Sequence, residues 1–449
     1  MNAVSPSGPW SLSHWIQLVK AHDPDADHRL PLVEEVAPVL FGEADLPQPE
    51  RVGLADRLER WRYQLLNKRD GNLPPPVREL ADTLDRAASQ LLGGDRPPRQ
   101  PRRCLTADVP EVALACDPAV PLDEGARQAA RLTAQHFPGR AGTGASRRMV
   151  LYAPLYLSSY CVNHCRYCGF RYSREQQRDH LSLAEALAQA DILGQRGFRH
   201  LLLVAGDFPR LTSTHYFVPI IAALKERGYS IAIEIAPQTT RAYAEMAAAG
   251  ACGVTLYQET YQLEHYARQH PLGPKVWYDW RLEGPERAAE AGMRRLGLGA
   301  LLGLADPRDD LRALVGHGRY LRERFPHLTL AFSLPRIHEA PSDFVPPVTV
   351  DDDLFVRLYC ALRLAFPTAE LVLSTRESPA LRERLAALCI TQMSAGSSTA
   401  PGGYSETAGD PPRHQQFPVT DQRSAAEVAA ALGQSGFDVQ WQLANAAPP

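Results

Sequence analysis

The sequence predicts an α/β protein built on a closed (β/α)8 barrel, preceded by a helical N-terminal extension. Eight short apolar runs recur between residues 150 and 393, and segments with helical periodicity separate them. Near-continuous apolar strands that alternate with helices are typical of a parallel sheet covered on both faces. Eight strands within about 240 residues match the usual size of such a barrel. An open doubly wound sheet is the alternative, and the number of strands favours the barrel.

The predicted strands are rich in aliphatic and β-branched residues. They are VLYAPLYL (150–157), HLLLVAG (200–206), SIAIEIA (230–236), CGVTLYQ (252–258), RLGLGALLG (295–303), LTLAFSL (328–334), ELVLS (370–374) and ALCITQM (387–393). The intervening segments, such as LAEALAQADILGQRG and LRALVGHGRYLRERF, place apolar residues three and four positions apart, which predicts helices.

The rest of the chain divides into three segments. Residues 1–95 contain three stretches of helical periodicity and form the predicted N-terminal extension. Residues 96–121 are rich in proline and arginine and have no period, which indicates a linker or an extended wrap. We expect the barrel and its active site to span 122–405, and a tail with one helix and a short strand, FDVQWQL, to span 406–449.

Composition excludes several classes of function. The formal net charge of the 449 residues is −3, so no strongly basic field favours binding to nucleic acid or to an anionic membrane. No run approaches 18 apolar residues, and the N-terminus lacks the basic and apolar regions of a secretory signal. We therefore expect neither a nucleic-acid nor a membrane partner.

Three of the eight cysteines are clustered within LYLSSYCVNHCRYCGF (155–170). Cys161, Cys165 and Cys168 form a C-x3-C-x2-C pattern directly after the first strand, which in a barrel is the C-terminal mouth where active sites lie. Three thiolates on one loop can hold three irons of a 4Fe–4S cluster and leave the fourth iron open to a ligand. A structural zinc site is less favoured because it needs four ligands, and His164 is awkwardly placed beside Cys165.

This segment resembles the radical S-adenosylmethionine (SAM) superfamily, in which the residue before the third cysteine is aromatic and lies beside the adenine of SAM. Here that residue is Tyr167. The resemblance implies that SAM chelates the open iron and that an electron from the cluster cleaves it to methionine and a 5′-deoxyadenosyl radical, which takes hydrogen from the substrate. The implied cofactors are a [4Fe–4S] cluster and SAM.

The resemblance extends from about residue 120 to 405. The strings TLYQETY, RAAEAGMRRLGLGALLGL, FSLPR, LSTRE and TQMSAGSSTAPGGY are similar to those of the aromatic amino-acid lyases of the superfamily, and above all to the 2-iminoacetate synthases, the tyrosine lyases of thiazole biosynthesis. The resemblance implies cleavage of the tyrosine Cα–Cβ bond to p-cresol and 2-iminoacetate (dehydroglycine) for the thiazole of thiamine. It also implies that the enzyme is a carbon–carbon lyase.

An amino-acid substrate brings a carboxylate, which when buried needs a charged and preferably bidentate donor. Arg376 in LSTRE and Arg336 in FSLPR follow the seventh and sixth strands, and the resemblance favours Arg376 as the carboxylate clamp. Tyr156 matches a position near the substrate amino group. Gln392 and Ser394, at the end of the eighth strand, are candidates for hydrogen bonds to the substrate's polar groups.

Further candidates for binding SAM follow the second to fourth strands. The second strand ends in Ala205, Gly206 and Asp207, where the family usually has a Gly-rich turn with Glu. Glu234 can accept from the ribose hydroxyls, Glu259 lies in the mouth close to SAM and substrate, and Arg281 can reach the SAM carboxylate.

The resemblance leaves more than one function open. A related tyrosine lyase matures iron-only hydrogenase and carries extra C-terminal cysteines, whereas no cysteine follows Cys389 here, which favours the thiazole enzyme. A tryptophan-cleaving lyase and a non-catalytic iron–sulfur binding or assembly protein also stay open. We expect a flavodoxin or ferredoxin as electron donor, a thiazole synthase as a partner of the thiazole enzyme, and the reducing cytoplasm as the compartment.

Overall fold

The computed structural model describes residues 11–67, 74–93, 99–106, 109–112, 117, 119–340, 344–405 and 413–443. Within these residues, nine strands form one sheet. They are β1 Arg147–Ser158, β2 His200–Ala205, β3 Ser230–Glu234, β4 Ala251–Thr255, β5 Arg295–Gly299, β6 Thr329–Ser333, β7 Glu370–Leu373, β8 Gln392–Ser394 and β9 Phe437–Gln440.

The sheet closes because β1 pairs on both of its edges. Residues Val150–Tyr152 lie opposite Gln392–Ser394 of β8, and Ala153–Tyr156 lie opposite Leu201–Val204 of β2. Every pairing from β2 to β8 is parallel, and each strand pairs with the next along the chain. The predicted (β/α)8 barrel is therefore confirmed, and the open doubly wound sheet is excluded.

β1 extends beyond the eight-stranded barrel at its N-terminal end, where its first residues pair with β9. Arg147–Val150 lie opposite Phe437–Gln440 of β9, which adds a ninth parallel strand at the start of β1. The predicted C-terminal strand thus joins the barrel sheet, and the helix before it packs on the same core through Val428 and Leu432.

The helices follow local signals in the sequence. Those of the N-terminal region are α1 Leu12–His22, α2 Ala26–Leu40, α3 Gln48–Asn67 and α4 Pro75–Leu91. Those from residue 122 onward are α5 Leu122–His136, α6 Leu183–Gln195, α7 Thr214–Glu226, α8 Thr240–Ala249, α9 Leu263–Gln269, α10 Tyr278–Leu282, α11 Gly284–Glu290, α12 Pro307–Arg324, α13 Asp352–Ala365, α14 Pro379–Leu388 and α15 Ala425–Gln434. Ser182 with Glu185 and Ser424 with Glu427 form capping boxes that fix the first turns of α6 and α15.

Helices α1–α4 form a hydrophobic core of their own, centred on residues such as Leu58 and Trp61. Trp277 and Trp280, from the loop and helix that follow α9, belong to the same core. The N-terminal helices therefore pack on the barrel at the elements that follow β3 and β4, which places α3 beside the barrel mouth.

Buried ion pairs join the N-terminal helices to the barrel. Arg99 donates to Asp85 of α4 (2.6 Å) and to Glu59 of α3 (3.1 Å), and its Nε lies 3.2 Å from a carboxylate oxygen of Glu290 in α11. Arg62 of α3 donates to Glu283 at 2.8 Å. Burying charge is unfavourable unless the charges are paired, so removing one member of this network would leave its partners buried and unpaired.

Two elements differ from the predicted ones. The apolar run at 387–393 begins with the last two residues of α14 and ends with the first two residues of a three-residue β8, because Leu388 still belongs to the helix. Helix α2 forms although Pro31 and Pro38 lie within it. In the part of the chain that the structure describes, no helix combines the length and the apolar character needed to cross a bilayer.

Candidate active site

The cysteine loop begins where β1 ends, at the C-terminal mouth of the barrel. Cys165 and Cys168 are buried and Cys161 is partly exposed, and all three are free thiols. The loop is fixed from two sides, because Val162 N donates to Asp207 O after β2 (2.8 Å) and His164 N donates to Leu272 O after α9 (3.1 Å).

Gly206 lets the loop after β2 approach the cysteine loop closely. A Cβ at this position would lie 2.3 Å from Tyr160 O and 3.1 Å from Cys161 Cβ. Only glycine fits this close approach of two backbones. The predicted Ala205-Gly206-Asp207 turn therefore lies directly against the cysteines, although its last residue is aspartate.

A cavity of about 570 Å³ opens in front of the cysteines. Most predicted metal and cofactor residues line it, namely Cys161, Cys165, Cys168, Ala205, Gly206, Asp207, Glu234, Glu259 and Arg281. Residues that follow β2, β3 and β4 thus meet the cysteine loop around one space, as expected for a barrel whose site is built from its C-terminal loops.

The thiols suit iron–sulfur ligation. Asn163 N donates to Cys161 Sγ (3.5 Å) and Phe170 N donates to Cys168 Sγ (3.4 Å), so backbone dipoles already point at two of the sulfurs. Burial raises the pKa of Cys161 to about 11 and also raises the pKa of Cys165 and Cys168. These thiols consequently need the positive charge of bound iron to ionise.

A charged cluster lines the cavity after β4. Glu259 Oε1 accepts from Lys275 Nζ (2.6 Å) and from Arg281 Nη2 (3.1 Å), while Arg281 Nε donates to Tyr257 O (2.6 Å). Although burial would raise the pKa of Glu259, Lys275 and Arg281 hold it below its usual value. Glu259 also has φ 72°, a strained conformation for a non-glycine residue of the kind that concentrates at functional sites.

Glu234 ends β3 and faces the same cavity. Burial, followed by the negative charge of Glu259, raises its pKa to about 7, and the charge of Arg376 opposes this shift. A carboxyl group with a pKa near 7 can be protonated or ionised at neutral pH. It can therefore donate as well as accept a hydrogen bond, which suits contacts to ribose hydroxyls.

Tyr167 is buried between His270, Phe344 and Lys275; it does not line the cavity itself, although Lys275 does. Its hydroxyl lies 2.8 Å from His270 Nε2, and His270 Nδ1 lies 2.8 Å from Tyr266 O. Burial lowers the pKa of His270, so the ring is neutral, Nδ1 donates to the carbonyl and Nε2 accepts from Tyr167. His270 therefore fixes the aromatic residue that precedes the third cysteine.

Tyr156, on β1, is connected to the cysteine loop through Gln416. The Tyr156 hydroxyl donates to Gln416 Oε1 at 2.7 Å, and Gln416 Nε2 lies 3.9 Å from Cys168 Sγ. The Tyr156 ring meets Phe170 edge to face with 6.0 Å between centroids. Gln416 also lines the cavity, so it lies between a predicted substrate residue and the predicted cluster.

The two candidate arginines differ in their partners. Within the described residues, no carboxylate lies within ion-pair distance of the Arg376 guanidinium, which stacks on the Phe417 ring with Cζ 3.6 Å from the centroid. Arg336, by contrast, donates to Asp352 (2.8 Å) and Val350 O (2.8 Å) and pairs with Glu377. Arg376 retains hydrogen-bonding capacity for a ligand, whereas Arg336 holds the loop that carries Arg376.

The side chains of Gln392 and Ser394 form hydrogen bonds to other residues of the barrel. Gln392 Oε1 accepts from Arg295 Nη2 at 2.7 Å, in a polar layer that also contains the Arg295–Glu370 ion pair. Ser394 Oγ accepts from Thr375 N at 3.1 Å, which ties β8 to the segment after β7. Neither side chain lines the large cavity.

Three residues of the site were not identified from the sequence. Asn163 joins the loops by donating to Asp207 (2.9 Å) and accepting from Lys275 N (2.7 Å). Gln416 lies 248 positions from Cys168, and His270 lies 103 positions from Tyr167. A single amide or imidazole without a motif cannot be assigned before the fold brings its partners together. Only the position of Asn163 between two of the cysteines hinted at its role.

Comparison with protein families gives two matches. Residues 155–316 match the model of the radical SAM superfamily. Residues 333–438 match the biotin and thiamin synthesis associated domain. The two segments cover the barrel from the end of β1 to β9.

Curated proteins and solved structures agree with these matches. The chain is 38% identical over 322 residues to 2-iminoacetate synthase from Escherichia coli K12, covering 72% of this chain and 82% of the relative. It is 36% identical, with the same coverage, to 2-iminoacetate synthase from Salmonella typhimurium LT2. The structure of the FeFe-hydrogenase maturase HydG from Carboxydothermus hydrogenoformans superposes with a TM-score of 0.68 and 31% identity, over 89% of this chain and 86% of that protein.

Proposed function

The chain belongs to the radical SAM aromatic amino-acid lyase family that includes the 2-iminoacetate synthases, and from that premise we propose that it cleaves L-tyrosine to p-cresol and 2-iminoacetate. It is a radical SAM lyase with a [4Fe–4S] cluster and SAM as cofactors. The observation that carries the choice of an amino-acid substrate is the Arg376 guanidinium, which has no carboxylate partner among the described residues.

When bound, the cluster and SAM would supply a 5′-deoxyadenosyl radical able to take a hydrogen atom from the substrate amine. Cys161, Cys165 and Cys168 would hold the cluster. The turn at Gly206 and Glu234 line the cavity in which SAM would bind.

In this proposal Arg376 binds the tyrosine carboxylate through its forked donors, and the Phe417 ring keeps the guanidinium oriented. Tyr156 is directed by Gln416 and meets the substrate amino group. Holding the amine next to the radical source is the main contribution of these side chains, because positioning converts the hydrogen transfer into an intramolecular step. Cleavage of Cα–Cβ then yields 2-iminoacetate and a 4-hydroxybenzyl radical, which becomes p-cresol by taking up one electron and one proton.

We further propose that the product serves the thiazole of thiamine. The likeness to two curated 2-iminoacetate synthases and the match to the biotin and thiamin synthesis associated domain support this assignment. A thiazole synthase would then accept the unstable imine, a flavodoxin or ferredoxin would reduce the cluster, and the reaction would take place in the cytoplasm.

The test is product analysis under anaerobic turnover. The reconstituted enzyme, reduced in the presence of SAM and tyrosine, should form 5′-deoxyadenosine, p-cresol and glyoxylate, the hydrolysis product of 2-iminoacetate, in equal amounts by mass spectrometry. Tryptophan in place of tyrosine is the matched control. Indole-derived products from tryptophan together with no p-cresol from tyrosine would contradict the assignment.

A second candidate is a role like that of the hydrogenase maturase, whose structure the barrel resembles over most of its length. That function would convert the tyrosine-derived fragment further to cyanide and carbon monoxide. Trapping carbon monoxide with a haem protein during the same turnover separates the two, since the proposed thiazole enzyme releases none.

A further inference from the structure

The large cavity in front of the cysteines is not formed by the barrel alone. Arg60, Tyr63 and Gln64, all on helix α3, line it together with Cys161 and Glu234. The N-terminal helical region, which the sequence left without a role, therefore reaches the space where the cofactor binds.

Helix α3 is anchored to the strand end that carries Glu234. Asp56 accepts from Thr239 Oγ1 at 2.7 Å, and Glu59 accepts from both Thr240 N and Thr240 Oγ1 at 2.7 Å. These contacts place two carboxylates of α3 at the N-terminus of α8, where negative charge is stabilised by the exposed N–H groups. The connection between β3 and α8, residues 235–239, lies between these anchors and Glu234 and lines the cavity.

Aromatic side chains line the cavity on the side of helix α3. The Tyr63 ring lies 4.8 Å from the Trp280 ring and 6.3 Å from the Trp277 ring, centroid to centroid. Trp280 is held in place because its Nε1 donates to Pro237 O (3.3 Å) and Arg287 stacks on it with Cζ 3.5 Å from the centroid. Tyr63 therefore presents a supported aromatic surface to the cavity.

We propose that helix α3 is part of the SAM site, with Tyr63 and Gln64 contacting the bound cofactor. Tyr63 supplies an apolar and aromatic wall suited to a nucleoside, and Gln64 supplies an amide whose oxygen is oriented by Arg29. The proposal rests on the radical SAM assignment but not on tyrosine as the substrate.

Because the Tyr63 and Gln64 side chains are not fully buried, replacing them tests SAM binding with little effect on folding. Gln64 is exposed and Tyr63 is only partly buried, whereas Leu58 and Trp61 of the same helix form the domain core. Truncating Gln64 therefore removes little packing. Arg57 is a matched control because it lies on the same helix, pairs at the surface with Glu35 (2.7 Å) and does not line the cavity.

The test is equilibrium dialysis of radiolabelled SAM against the anaerobically reconstituted holoenzyme, without amino-acid substrate. We expect Tyr63→Ala to weaken SAM binding about tenfold, because it removes an aromatic wall, and Gln64→Ala about threefold, because it removes a single hydrogen-bonding group. Arg57→Ala should bind SAM like the wild type. Iron content and the thermal unfolding midpoint are measured on each protein, and Tyr63→Leu, which keeps apolar volume, checks Tyr63 independently of the packing.

Weaker SAM binding by Gln64→Ala or Tyr63→Leu, with about four irons per chain and an unchanged unfolding midpoint, supports the proposal. SAM affinities within twofold of the wild type in all three variants overturn it, as does an effect confined to the KM for tyrosine. Because SAM binding is measured without substrate, failure of the tyrosine assignment would leave this result intact, and the two proposals can fail separately.

Discussion

Arg336 and Arg376 carry the same guanidinium at the ends of neighbouring strands, and only their partners distinguish them. Glu377 and Asp352 neutralise Arg336, whereas Arg376 stacks on Phe417 and has no carboxylate partner among the described residues. The sequence favoured Arg376 only through resemblance. The structure supplies a physical reason for the difference. Glu377 directly follows Arg376 in the sequence, but its carboxylate pairs with Arg336.

Replacing Arg376 should therefore reduce substrate binding and leave the cofactor untouched. We expect Arg376→Ala to weaken tyrosine binding by about 2–5 kcal/mol, since a carboxylate would lose its charged partner in a desolvated site. The measurement is the tyrosine dissociation constant by calorimetry on the SAM-bound holoenzyme. Arg384→Ala, which removes an exposed pair with Asp353, is the control. Tyrosine affinity unchanged in Arg376→Ala would discard the role.

The cysteine cluster makes an equally local prediction. Cys165→Ala should yield protein without a stable [4Fe–4S] cluster and without 5′-deoxyadenosine formation, because two thiolates cannot hold three irons. Iron analysis and electron paramagnetic resonance of the reconstituted protein are the measurements. Cys104→Ala, outside the cluster, should retain about four irons per chain. A Cys165→Ala protein with full iron content and full SAM cleavage would show that the ligands are assigned wrongly.

At the scale of elements, the strands were predictable because each is a continuous apolar run buried on both faces. The eighth was misplaced for a physical reason, since Cys389 and Ile390 are buried directly after α14, and periodicity does not distinguish a buried segment at a helix end from a buried strand. Helix α2 gave no clear period because Pro31 and Pro38 interrupt it, yet packing of Val33 and Val36 in the N-terminal core retains the helix.

The loops were predictable only where a motif marks them. The cysteines, the Gly206 turn and the strand-end carboxylates were found because each follows a strand that the sequence reveals. Asn163, His270 and Gln416 were not, because their roles arise from hydrogen bonds to distant segments. A single sequence holds no record of such pairings.

The contact between the β4 loop and helix α12 predicts a pH effect. Asp310 Oδ1 accepts from Tyr261 N (2.7 Å) and Thr260 Oγ1 (2.9 Å), while Oδ2 is buried without a hydrogen bond among the described residues. Burial raises the pKa of Asp310 to about 7. The folded state therefore holds a proton that the unfolded state releases above pH 4, so this residue's contribution to stability falls as the pH rises from about 4 to 7.

Asp310→Asn should remove this loss of stability with rising pH, because the neutral asparagine side chain resembles the protonated carboxyl group. Between pH 5.5 and 7.5 we expect the variant to gain about 2 kcal/mol in free energy of unfolding relative to the wild type, at about 1.4 kcal/mol per pH unit below the folded pKa. Urea titrations at the two pH values are the measurement, with Asp353→Asn, at an exposed position of α13, as the control. A parallel pH dependence in wild type and variant would show that Asp310 is ionised in the fold throughout.

At the scale of the whole molecule, the barrel and the N-terminal helices are joined around one arginine. Arg99 belongs to the proline- and arginine-rich segment predicted as a linker or wrap, yet it is buried between α3, α4, α8 and α11. Its partners Asp85, Glu59 and Glu290 come from both sides of the interface. The same interface contains helix α3, which lines the large cavity in front of the cysteines. Docking of the N-terminal helices therefore also completes the wall of that cavity.

Removing the Arg99 side chain should therefore loosen the docked helices rather than the barrel. Arg99→Ala leaves three carboxylates buried without their common counter-charge, which typically costs about 3–5 kcal/mol. We expect faster hydrogen exchange in residues 48–67 and 240–249, unchanged exchange in 329–333 of the barrel, and weaker SAM binding. Arg103→Ala, an exposed arginine of the same segment, should exchange like the wild type. Identical protection of α3 in Arg99→Ala and wild type would mean that apolar contacts of Trp277 and Trp280 hold the two parts together without the ion network.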